Sequence, residues 1–114
     1  MTDRELQEKA AKAAGISIQW DDAWNCFQRD ARPVLPGYSE WVLWRPLADD
    51  GDALRLAVKL ELRLATHCNQ EQAYAQSIHH PGVSLEDWNG DPYAATRRAI
   101  VRAAAAIADG GEPK

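Results

Sequence analysis

The sequence predicts an α+β domain, a layered sandwich of three helices and one small mixed or antiparallel sheet of about four strands. Two observations carry this. The apolar spacing switches between helical and alternating along the chain, and each helical stretch opens on a capping residue. Apolar content of 46% with 26% charged residues is ordinary for a globular chain, and 114 residues fit one domain. That domain is expected to span 1–110, with a loose tail at 111–114.

Thr2 and Glu5 form a capping box ahead of an Ala-, Lys- and Glu-rich segment, Leu6 to Ala14, and Gly15 offers the left-handed stop. Leu6, Ala10, Ala13 and Ala14 make a narrow stripe, suited to close but weak packing. Ile16 to Trp20 alternates apolar and polar, which predicts a strand with one buried face that ends at Asp21 and Asp22. Ala23 to Asp30 fits no single pattern; Trp24 and Phe27 have the spacing of one helical turn. Pro33, Pro36 and Gly37 mark a loop. Tyr38 to Trp44 reads as a second strand, with Trp41 and Leu43 on one face, Val42 and Trp44 on the other, and Pro46 as its stop.

Asp49-Asp50-Gly51-Asp52 opens a second helix, to about Leu60, with an aspartate cap and acidic charge at the positive end of the dipole. Its apolar residues Ala53, Leu54, Ala57, Val58 and Leu60 follow helical spacing. From Leu60 the pattern turns to period two, with Leu60, Leu62 and Leu64 against Glu61, Arg63 and Ala65. Gln72 to Ile78 and Val83 to Trp88 read as further strands around a turn at His79-His80-Pro81-Gly82. The last helix starts at the Asp91 cap with Pro92 in first place, runs to about Ala108 and stops at Asp109-Gly110-Gly111. Tyr93, Ile100, Ala104 and Ile107 fall on one stripe expected to face the sheet; Arg98 and Arg102 oppose it and Arg97 lies at its edge. No internal repeat is evident.

The net charge of −4 opposes a long contact with a nucleic-acid backbone, so nucleic acid is not an expected partner. The charged start Met-Thr-Asp-Arg-Glu lacks the pattern of a signal peptide, and no apolar run approaches the roughly 20 residues of a membrane span. Cys26 and Cys68 are expected as free thiols, in a cytoplasmic setting.

No catalytic residue, metal site or cofactor is expected. His67-Cys68 is a poor chelating pair because neighbours on a strand point to opposite faces. His79-His80 has no second pair at zinc spacing. The acids around Gly51 lack the spacing of a calcium loop and would repel a phosphate. Five tryptophans, Trp20, Trp24, Trp41, Trp44 and Trp88, supply core filling or a ligand surface. The binding candidates are Trp41, Trp44, Arg97, Arg98 and Arg102; Arg forks match carboxylates and phosphates. A Pro-rich connection leaves Tyr38 to Trp44 as an edge, which predicts a homodimer or a protein partner at Trp41 or Trp44.

Two segments resemble known sequences. Trp44 to Leu60 reads W-R-P-L-A-D-D-G-D-A-L-R-L-A-V-K-L, and Asp91 to Ala105 reads D-P-Y-A-A-T-R-R-A-I-V-R-A-A-A. Both resemble small uncharacterised proteins of tailed bacteriophages and prophages, similar to the phage ABA-sandwich domain group. The resemblance implies a helix–sheet–helix sandwich and a phage accessory role in the host cytoplasm. The expected function is therefore a non-enzymatic protein that binds a host or phage partner, with counter-defence one form of that role. The alternatives are a binder of a nucleotide-like anion using Arg97 and a Trp, and a small enzyme with a Cys/His site.

Overall fold

The computed structural model describes residues 1–31, 40–67, 70–79 and 83–110. The chain runs α1 (Asp3–Ala14), β1 (Ile18–Asp21), β2 (Cys26–Asp30), β3 (Trp41–Trp44), α2 (Asp50–Lys59), β4 (Leu62–His67), β5 (Gln72–Ser77), β6 (Ser84–Asp87) and α3 (Pro92–Ala108). The α+β class and the three helices are as expected. The strands differ: they form two antiparallel three-stranded sheets, β1-β2-β3 and β4-β5-β6, in place of one sheet of about four. The expected loop at Pro33 to Gly37, Tyr38, Cys68, the His80-Pro81-Gly82 part of the turn and the tail at 111–114 lie outside the described residues.

The added strand β2 comes from the stretch whose pattern was ambiguous. Trp24 and Phe27 do not share a helical turn. One Asp21 carboxylate oxygen accepts from the backbone N–H groups of Ala23 and Trp24, at 2.8 and 3.4 Å. Asn25 takes the left-handed conformation, φ 52°, which asparagine tolerates better than most residues. The chain therefore reverses, and Cys26 pairs with Asp21 in an antiparallel hairpin. Phe27 then points into the core while Trp24 stays on the exposed turn.

The helix ends follow the capping chemistry. Thr2 Oγ1 accepts from the Glu5 N–H at 3.1 Å, Asp49 from the Asp52 N–H at 2.8 Å, and Asp91 from the Ala94 N–H at 3.0 Å. Gly15 ends α1 at φ 68°. No helix among the described residues is long and apolar enough to cross a membrane.

Two cores meet on α3. Its Ile100, Val101, Ala104 and Ala105 join Leu6, Ala10, Ala11 and Ala14 of α1, Ala53, Leu56 and Ala57 of α2, and Phe27 and Trp44 of the first sheet. Its Ala95, Ala99 and Ala103, spaced four apart, lie on Ala73 and Ala75 of β5. The helices therefore stand between two sheets, each covered on one face, instead of flanking a single sheet. The stripe expected to face the sheet is corrected accordingly. Tyr93 is exposed and Ile107 half-buried, while Ile100 and Ala104 face the other helices. The sheet takes the alanine row because methyl groups let helix and strand backbones approach more closely than branched side chains would.

Ala73, Ala75 and Ala99 have no exposed surface. Ala99→Leu would force an isobutyl group into this contact, and overpacking of that kind costs about 1–3 kcal/mol. The expected result is a lower denaturant midpoint with native helix content; an unchanged midpoint would show that the helix stands farther from β5.

Candidate docking surface and cleft

The five residues singled out from the sequence are not brought together. Trp44 is 2% exposed and faces the core beside its strand partner Phe27. Trp41 projects from the opposite face of the same edge strand, opposite Asp30, and is 37% exposed. A surface formed by both indoles is therefore excluded by strand alternation.

The three arginines point to three different elements. Arg97 donates through Nε to the Leu47 carbonyl at 3.0 Å and through Nη1 to Asp50 at 2.6 Å. Arg98 reaches Asp3 of α1 at 3.0 Å, and Arg102 reaches Glu86 of β6 at 2.9 Å. They read as ties that fix α3 to the start of α2, to α1 and to the second sheet. Asp52 is likewise structural: nearly buried, it accepts from the Arg45 N–H at 2.9 Å and from Arg55 at 3.0 Å, which braces the turn from β3 into α2.

An exposed apolar surface lies on α2. The apolar residues of α2 form two adjacent rows. Ala53 and Ala57 are buried, but Leu54 and Val58, one turn apart on the outer face, are 56% and 70% exposed. Arg55 and Lys59 line one side of them and are also exposed. Arg97 on Asp50 draws the first turn of α3, with its exposed Tyr93, toward the start of α2. At the other end the Glu61 N–H donates to the Val58 carbonyl, and the Glu61 carboxylate meets His79, next to the exposed Ile78. Exposed apolar side chains paired in this way on one helix face mark interaction sites in soluble proteins. Helical spacing alone could not tell the two rows apart, because both satisfy an i, i+4 rule.

A second feature is a cleft of about 390 Å³ between α1 and the β1–β2 hairpin. Arg4, Glu8, Ala11 and Lys12 form its helical wall; Ile16, Ile18, Trp20 and Phe27 supply its apolar lining. The Arg4 guanidinium lies 4.0 Å from the centre of the Trp20 ring, and Phe27 meets Trp20 edge-on at 5.0 Å.

Among the described residues, no group of three or more His, Cys, Asp or Glu side chains is placed to hold a metal ion. Cys26 is a half-buried free thiol on the first sheet, whereas His79 follows the second. Comparison with protein-family models, curated proteins and solved structures gives no match.

The arginines are expected to separate in stability. The Arg97 side chain is 16% exposed and makes two charge-assisted bonds, so Arg97→Leu should cost about 1.5–3 kcal/mol. Arg98→Ala removes a pair that is 41% and 61% exposed and should cost under about 1 kcal/mol. Chemical denaturation of the two variants checks this; equal losses would contradict the assignment of Arg97 as the principal tie.

Proposed function

We propose that this chain is a non-enzymatic binding protein, a phage or prophage accessory factor that docks on a host or phage protein by laying α2 into an apolar groove with an acidic rim. The observation that carries this is the exposure of Leu54 and Val58, side by side on one helical face, with Arg55 and Lys59 along one side of them. An amphipathic helix seated in a groove is a recurring mode of recognition, read through anchors spaced as these are. Burying a Leu or Val side chain fully is worth about 1.5–3 kcal/mol, so two such anchors are a substantial part of a micromolar affinity. The two cations favour a partner of opposite charge, even though the chain as a whole carries −4. The phage resemblance of Trp44 to Leu60, which contains α2, supports the same reading, and counter-defence is one role it would fit.

Both anchors lie outside the core, so Leu54→Asp and Val58→Asp should leave the melting temperature within about 2 °C of the wild type, as expected for surface changes in a domain of this size. Immobilised wild-type chain is expected to retain a specific protein from infected host cells. Either substitution should weaken that complex by about tenfold or more, the equivalent of 1.4 kcal/mol. Identical sets of retained proteins for the wild type and both variants would contradict docking through α2.

A further inference from the structure

The cleft between α1 and the β1–β2 hairpin is separate from the α2 surface, and none of the ties of α3 uses it. Its helical wall presents Arg4, Glu8 and Lys12 at positions four residues apart. At 1.5 Å per residue these stand about 6 Å apart along the helix, cation, carboxylate, cation, over an edge of about 12 Å. Opposite them lie Ile16, Ile18, Trp20 and Phe27. Two cations against one carboxylate give the wall a local charge of +1 in a chain of −4.

We propose that this cleft binds a nucleoside monophosphate. Arg4 has Trp20 on one side of its guanidinium, at 4.0 Å, and its side chain is still 53% exposed. A guanidinium plane has two faces, and a flat base on the outer one completes a Trp–Arg–base stack. One turn on, Glu8 is 52% exposed, and its carboxylate, 3.6 Å from Arg4, can accept from the vicinal hydroxyls of a ribose. One further turn on, the exposed Lys12 ammonium provides a point charge for the phosphate. The ligand's base, diol and phosphate follow in the order of the three side chains. Because the cleft is open and the polar contacts are few, the expected Kd is on the order of 0.1–1 mM.

The test uses the full chain and three probes: adenosine 5′-monophosphate, adenosine and inorganic phosphate, each titrated while backbone amide resonances are followed. The expected result is a set of shifts confined to Arg4–Lys12 and Ile16–Phe27, with the monophosphate binding about tenfold more tightly than adenosine or phosphate. Lys12→Ala should bring the monophosphate down to the affinity of adenosine and leave adenosine unchanged. Arg4→Gln should weaken both nucleosidic probes alike. Both positions are exposed, so a native amide spectrum for each variant separates a lost ligand from a lost fold. Absence of shifts in the cleft at millimolar monophosphate would overturn the proposal. So would equal binding of monophosphate and phosphate, or equal losses in Lys12→Ala for adenosine and monophosphate. None of these outcomes bears on docking through α2.

Discussion

Alanine meets alanine where α3 crosses β5. Ala95, Ala99 and Ala103 offer only methyl groups, and Ala73 and Ala75 offer only methyl groups in return. Each contact buries little area, so the energy of this seat comes from close packing over several residues, and a void or an added methylene is felt at once. The opposite face of the same helix carries Ile100 and Val101 into the larger core with α1, α2 and the first sheet. One helix with two apolar faces therefore seats the second sheet directly and shares with α1, α2, Phe27 and Trp44 the core that covers the first, while Leu62 of β4 packs on both cores. A helix that is apolar nearly all round is a buried helix, and α3 takes that role with short side chains.

This constraint also explains what the sequence made legible. Caps and stops are local chemistry, so Thr2, Gly15, Asp49 and Asp91 placed the helix ends well, and α3 has the bounds Pro92–Ala108 that its Asp-Pro start and Gly-Gly end suggest. Alternation likewise placed β5 and β6 to within a residue at each end and the end of β3 at Trp44, although β3 starts at Trp41, three residues after the expected Tyr38. Tertiary choices were not legible in the same way. Tyr93, Ile100, Ala104 and Ile107 form the strongest hydrophobic stripe on α3, yet the sheet selects the alanine row beside it, because only that row permits the close seat. Likewise Leu54 and Val58 satisfy the same spacing as Ala53 and Ala57, and nothing local says which row the core takes. β2 was hidden because its hairpin depends on an Asp21 side chain bonding to the backbone and on a left-handed Asn25.

The candidate site was legible only in part. Arg97, Arg98 and Arg102 stood out as a cluster by their neighbourhood in sequence, but a helix sends such residues in different directions, and each guanidinium finds an acid on a different element. The tryptophans divide by the same logic of faces: Trp44 fills the core, Trp41 stays at the edge strand, and Trp20 meets Arg4 at the cleft. What these interactions leave exposed is the outer row of α2 and the wall of α1. Both surfaces sit on helices anchored to α3, so each is presented on a rigid support, which favours recognition over adaptation.

If α3 is the element on which the two cores meet, it must be the last part of the chain to open. Native-state hydrogen exchange measures this directly, residue by residue. The backbone amides of Ala99 to Ala105 are expected to exchange only through global unfolding, with a protection free energy equal to the stability measured by denaturant, while α2 and the β1–β2 hairpin open at lower cost. Exchange of those α3 amides at a free energy well below global stability, with either sheet still protected, would contradict the account.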